Sequence, residues 1–337
     1  MLQTAEKIRE IGGLDARALP DGLLESTEPV VMRGLVAHWP MVRAALESER
    51  AAIRYLGGFY RDATVVVMRG EPGMEGRFFY NEDLSGFNFN TARLRLDTVL
   101  EDLDRHASSA NPPSIYVGST TIDVALPGFR AHNDIDLGAR SALASIWLGN
   151  RTRIAAHHDL PDNLACVAVG RRRFTLFPPE QIENLYVGPL DFTPAGQAIS
   201  LVDFAKPDLA RFPRFAQAAK AARVAELGAG DAIFIPSMWW HHIESLEAFN
   251  VLVNYWWRQS PAYMDAPIGA LMLSIMTMRD LPPAQRAAWQ NLFRHYVFEA
   301  DGDTAAHIPE RSRGSLGPLN DEAVREMRAR LLARLNR

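Results

Sequence analysis

Only one cysteine, Cys166, occurs among the 337 residues, so no disulfide can form within the chain. It sits in the apolar run Leu164-Ala165-Cys166-Val167-Ala168-Val169 and reads as a core residue. No apolar run approaches the roughly 20 residues of a membrane-spanning helix. The start, Met1-Leu2-Gln3-Thr4-Ala5-Glu6-Lys7, carries charge where a secretory signal needs an apolar stretch. A cytoplasmic protein with no membrane partner is therefore expected. Charge of one sign is scarce too: 36 Lys and Arg against 40 Asp and Glu leave a net charge of −4. That balance gives no overall attraction to nucleic acid, and no nucleic-acid partner is expected. The first third shows neither a repeat of fixed period nor a low-complexity tract. With 47% hydrophobic residues there is ample material for a large core, in one extended domain or two closely packed ones.

What the chain does have is Ala156-His157-His158-Asp159 and, further along, Ile235-Pro236-Ser237-Met238-Trp239-Trp240-His241-His242. In an extended strand, side chains i and i+2 share a face, so His157 and Asp159 point into one space and His158 away from it. His241, delivered from another strand, completes two imidazoles and one carboxylate on one side of a metal, with other positions open. This facial set suits non-heme Fe(II) and oxygen chemistry. The same donors admit zinc, and the plain alternative is a set of hydrogen-bonded polar residues.

Residues 3–28 mix a short helix-like segment with the turn signals Gly12-Gly13 and Pro20-Asp21-Gly22, and 1–28 is expected to form an N-terminal arm. A strand is expected at 29–34, one amphipathic helix from Trp39 to Tyr55, strands at 64–68 and 78–80, and a helix at 94–103. From Ser114 onward short β-branched or aromatic runs at 115–117, 142–148, 152–158, 164–169, 173–177, 232–235 and 249–257 are separated by turn residues such as Gly149-Asn150 and Gly170. That is the pattern of an antiparallel β-barrel or jelly roll. Helical or irregular inserts are expected at 180–185 and 207–222. The architecture is thus mainly β with flanking helices: a domain over 29–260, then a helical region over 261–337. The helical stripes Ile268, Leu271, Ile275, Met278 and Val324, Met327, Leu331, Leu335 read as intramolecular core.

The same period of two sorts Arg171-Arg172-Arg173-Phe174-Thr175-Leu176. If Phe174 and Leu176 face the core, so does Arg172, while Arg171, Arg173 and Thr175 face out. A buried arginine needs an anion, because an unpaired buried charge costs several kcal/mol even after relaxation. An internal Asp or Glu is the plain answer and a ligand carboxylate the sharper one. Asn254 and Trp256 share a face of the last strand, where a buried Asn254 needs hydrogen-bond partners.

His157-His158-Asp159, Gly170-Arg171-Arg172-Arg173-Phe174-Thr175-Leu176-Phe177-Pro178-Pro179, Asn184-Leu185-Tyr186, Gly230-Asp231-Ala232-Ile233-Phe234-Ile235-Pro236, Trp239-Trp240-His241-His242-Ile243-Glu244-Ser245 and Asn254-Tyr255-Trp256 follow one another in an order that resembles the cupin-like Jumonji C (JmjC) family, and within it the asparaginyl hydroxylases. The likeness runs from about Pro29 to Trp257. It implies a double-stranded β-helix (a jelly roll of the cupin/JmjC type) holding Fe(II) and 2-oxoglutarate. It makes His157, Asp159 and His241 both iron ligands and catalytic centre, with His241 preferred to His242 because it directly follows the tryptophan pair. Arg172 stands where asparaginyl hydroxylases carry a lysine against the distal carboxylate of 2-oxoglutarate; it keeps the charge and offers a bidentate fork. Tyr116, Asn163 and Asn254 match polar positions around the cosubstrate, and Trp256 an aromatic wall. Ile154 departs from the pattern, which has a threonine three residues before the first iron-binding histidine, so one cosubstrate hydrogen bond is missing. His158 and His242 point away and are expected in structural roles.

The resemblance implies a 2-oxoglutarate-dependent dioxygenase that hydroxylates a protein or peptide side chain or a small amino-acid-like molecule, and a homodimer formed through the C-terminal helices. The alternative is a catalytically silent or non-oxygenase cupin, a metal-binding module whose pocket holds another carboxylate.

Overall fold

Fifteen strands form among residues 6–336, the part of the chain that the computed structural model describes. They are β1 (Glu6–Lys7), β2 (Arg9–Gly12), β3 (Val30–Arg33), β4 (Thr64–Gly70), β5 (Arg77–Phe78), β6 (Asn90–Arg95), β7 (Ser114–Thr121), β8 (Leu143–Gly149), β9 (Arg153–His157), β10 (Asp162–Val169), β11 (Arg171–Phe177), β12 (Arg223–Gly228), β13 (Ala232–Ile235), β14 (Trp240–Ser245) and β15 (Asn250–Trp257). Six of them make one sheet in the order β1-β12-β11-β14-β9-β5, and nine make a second, β2-β3-β13-β10-β15-β8-β7-β4-β6. Between β8 and β15 the chain crosses repeatedly from one sheet to the other, which is the double-stranded β-helix expected from the sequence.

β10 lies between β13 and β15 and is buried along its whole length, which explains its unbroken apolar sequence. Phe174, Leu176, Val167, Ile233 and Leu252 fill the space between the sheets. Each such side chain, fully buried, contributes about 1.5–3 kcal/mol. Helices cover the outer face of the nine-stranded sheet: α1 (Pro40–Glu47), α2 (Glu49–Gly57), α3 (Leu96–His106) and the short α4 (Ile122–Ala125). Cys166 is fully buried in that layer. The turn from β10 to β11 requires glycine. Gly170 has φ +78°, and a Cβ there would stand 2.4 Å from Asn250 Oδ1.

Three expectations change, and two strands form that the sequence does not mark. The N-terminal arm contains β1 and β2, paired in parallel with β12 and β3, where a helix-like segment was expected; residues 3–5 of that segment lie outside the described residues. The single helix from Trp39 to Tyr55 is two, because Ser48 adopts extended geometry and its hydroxyl caps α2 by accepting from Ala51 N. β6 (Asn90-Thr91-Ala92-Arg93-Leu94-Arg95) and β12 (Arg223-Val224-Ala225-Glu226-Leu227-Gly228), with few β-branched or aromatic residues, are held by pairing with neighbours. Thr175 is buried, not outward to solvent, since α5 (Phe215–Ala221) and the segments around Leu185 and Phe204 cover the outer face of the six-stranded sheet.

A second compact unit starts at Ser260. It holds α6 (Ile268–Met278), α7 (Pro283–Phe293) and α8 (Asp321–Leu335), the last capped by Asn320, whose side chain accepts from Glu322 N and Ala323 N. None of these helices buries a residue fully, and the stripes read as intramolecular core are partly open: Ile268, Leu271, Leu331 and Leu335 are 43–53% exposed, while Ile275, Met278, Val324 and Met327 are half-buried. No helix among the described residues is long and apolar enough to cross a membrane.

Candidate metal centre

β9 and β14 are antiparallel neighbours, and their register sets His241 opposite His157. Two residues on from His157, just past the end of β9, stands Asp159. Its segment is tied to the turn before His241: Met238 N donates to Asp159 O at 2.9 Å, and Ser237 Oγ to Leu160 O at 2.6 Å. Candidate ligand atoms of His157, Asp159 and His241 all lie within 4.8 Å of one another, and His241 Nε2 is 3.6 Å from Asp159 Oδ2.

The tautomers are fixed by the backbone. His157 Nδ1 lies 2.9 Å from Ala155 O and His241 Nδ1 3.0 Å from Trp239 O. A carbonyl only accepts, so each Nδ1 carries the proton and each Nε2 presents a lone pair. Burial, followed by the nearby His157 ring, pushes the His241 pKa well below the ordinary imidazole range, so this ring is neutral at pH 7. The contact with Asp159 is then a pair of ligands side by side, not an ion pair. Two imidazoles and one carboxylate fit a metal site.

These ligands line a cavity of about 460 Å³ between the two sheets. Arg172, in its lining, is 2% exposed; its Nε has no partner, and among the described residues its guanidinium makes no hydrogen bond or ion pair. The internal Asp or Glu considered for it is not there. Burial pushes its pKa down to about 10, while the nearby Tyr116 hydroxyl works the other way. Tyr116 itself is raised by burial. Asn254 is locked: its Oδ1 accepts from Trp147 Nε1 at 2.7 Å and its Nδ2 donates to Asn163 Oδ1 at 3.1 Å. The Asn163 amide N–H groups meet no acceptor among the described residues. Arg172, from one sheet, and Tyr116 and Asn163, from the other, thus bring donors without acceptors into one cavity, which is the chemistry of a carboxylate site.

All the residues singled out from the sequence, Tyr116, His157, Asp159, Asn163, Arg172, His241, Asn254 and Trp256, line this one cavity. So does Ile154, because the register of β9 against β14 shifts between His157 and Ile154, a bulge that places both on the cavity side. His158 and His242 face the opposite way. His158 meets the Trp240 ring edge-on at 4.6 Å, and His242 lies 4.8 Å from Phe204, where burial pushes it down to about 3. Sequence reasoning missed Gln197, whose Nε2 donates to Asp159 Oδ1 at 3.2 Å from a loop with no periodic signal. It also missed Val66, Met68 and Phe78 as lining residues; the alternation within β4 marks a second face for Val66 and Met68, but not what that face lines.

Residues 16–263 match the cupin-like domain family, and the chain belongs to it; the likeness to JmjC domains read from the motifs holds. It is 36% identical over 140 residues to the lysine-specific demethylase JMJ31 of Arabidopsis thaliana, covering 39% of this chain and 24% of that one. It is 26% identical over 240 residues to lysine-specific demethylase 8 of Xenopus tropicalis, covering 70% and 49%. With the tRNA wybutosine-synthesizing protein 5 of Gallus gallus it shares 35% identity over 106 residues, 32% and 30% of the two chains. The matches thus span about half or less of the length of these relatives.

Proposed function

We propose that this chain is an Fe(II)- and 2-oxoglutarate-dependent dioxygenase that hydroxylates a protein or peptide side chain or a small amino-acid-like molecule. One observation carries the reading: a facial His-Asp-His set and an unpaired buried arginine share one cavity. His157, Asp159 and His241 hold the iron. Arg172 binds the distal carboxylate of 2-oxoglutarate, with Tyr116 and Asn163 donating to the same molecule. When bound, iron and 2-oxoglutarate supply the oxidising power: O2 converts the oxo acid to succinate and CO2 while one oxygen atom enters a substrate C–H bond. Trp256, Trp147 and Ile243 exclude water from the cavity, and Gln197 keeps the Asp159 carboxylate oriented.

Titration of 2-oxoglutarate into the anaerobic Fe(II) protein, followed by succinate release in air, tests the reading. Iron-dependent binding and slow succinate formation are expected; neither occurring would overturn it. Ile154 favours a second reading, a metal-holding cupin that binds the carboxylate without turning it over, and binding without succinate, even across a substrate screen, would select it. Ile154→Thr restores a hydroxyl in the cavity and is expected to tighten 2-oxoglutarate binding about three- to tenfold, the worth of one hydrogen bond.

The partner proposed for the C-terminal helices is a second copy of this chain. Met276 is 67% exposed, Val297 60%, Phe298 77% and Leu332 59%, an apolar surface of the kind that marks association. Light scattering on the eluting protein is expected to give a dimer, and Leu331→Glu with Leu335→Glu a monomer; a wild-type monomer at tens of micromolar would remove the dimer.

A further inference from the structure

We propose that the reacting group of the substrate is neutral and apolar, an aliphatic or aromatic side chain, and that this cavity rejects a cationic one. This rests on the proposed function only for which end of the cavity is the reacting one. Beyond Arg172 and the three ligands, no charged residue lines the cavity among those described. Val66, Met68, Phe78, Pro194, Ala195 and Ile199 form an apolar part of the lining. A lysine-type ammonium entering there loses its water and meets one carboxylate, Asp159, already taken by Gln197 Nε2 and set beside His241 Nε2. A buried cation without a free counter-charge is strongly disfavoured.

Phe78, the ring that lines the cavity beside these aliphatic side chains, is engaged by its neighbours. Phe78 meets Phe89 edge-on at 5.4 Å; Phe89 stacks on Phe87 at 5.3 Å, and Phe87 on Phe192 at 4.9 Å, with planes within 20°. A cation is drawn to a free ring face. Here the faces are spent on one another in a ladder, which Tyr80 braces against both Phe87 and Phe192. The ladder ends at Phe192, which is 37% exposed, and so offers an apolar edge beside the cavity.

The test is ligand-observed saturation-transfer NMR on the full chain with two near-isosteric probes, Nα-acetyl-norleucine amide and Nα-acetyl-lysine amide, plus Nα-acetyl-phenylalanine amide and free norleucine. The norleucine and phenylalanine probes are expected to bind at least tenfold more tightly than the lysine probe, and Met68→Glu to reverse the preference. Val66→Glu, at a position 43% exposed, serves if Met68→Glu does not fold. Preference for the capped probe assigns a side chain in a peptide; preference for free norleucine assigns a small molecule; both support an apolar group. Equal or tighter binding of the lysine probe to wild type, or no binding by any probe, would overturn the proposal. Failure of iron-dependent 2-oxoglutarate binding with the norleucine preference intact would retire the oxygenase reading alone.

Discussion

Replacing His241 by alanine is expected to weaken Fe(II) binding by about 100-fold or more, since even the outer partners of metal ligands are worth 10–100-fold. The ring is 2% exposed, its Nδ1 is held by Trp239 O, and its Nε2 is the lone pair facing Asp159 and His157. The metal-free variant should lose only about 1–3 kcal/mol of stability, from the small void and the freed carbonyl. Chemical denaturation of the metal-free protein separates the two effects. A metal affinity that falls only in step with stability would make His241 a structural residue. His242→Ala is the control: that ring packs on Phe204, away from the ligands, and should leave metal affinity within a few-fold of wild type.

Arg172→Met is expected to move two measurements in opposite directions. Affinity for 2-oxoglutarate should fall by about 2–5 kcal/mol, roughly 30- to 5,000-fold, the cost of removing one partner of a buried charge pair. The ligand-free protein should gain about 1–3 kcal/mol, because methionine removes a buried cation that nothing in the chain pairs. The sign follows from the pKa. Burial lowers it in the folded chain, so from about pH 10 up to the ordinary arginine range the unfolded chain binds more protons and stability rises with pH. At pH 7 arginine is charged in both states and the full penalty is present. A ligand-free Arg172→Met protein less stable than wild type would mean that the guanidinium has a partner inside the chain.

Much of this site was legible because strand alternation is a strict rule. His157 and Asp159 two apart, and Arg172 in phase with Phe174 and Leu176, could be placed on one face without knowing what lay opposite. The rule failed where the chain departs from it. The bulge in β9 brings Ile154 to the same side as His157, although they are three residues apart. Thr175 looked solvent-facing because nothing local announces that a second layer, built from residues 185–222, covers that face. β12 and β6 owe their existence to partners far away in sequence. Gln197 reaches Asp159 across 38 residues from a loop with no pattern of its own. The C-terminal stripes were visible as stripes, but a periodic apolar face does not say whether it is covered within its own chain.

The most direct test is anaerobic Fe(II) titration with and without 2-oxoglutarate, following the metal-to-ligand charge-transfer absorption in the visible range, on wild type, His241→Ala and Arg172→Ala. A band that requires iron, 2-oxoglutarate and both side chains is expected. A wild-type protein that binds iron yet gives no such band at saturating 2-oxoglutarate would contradict the dioxygenase assignment.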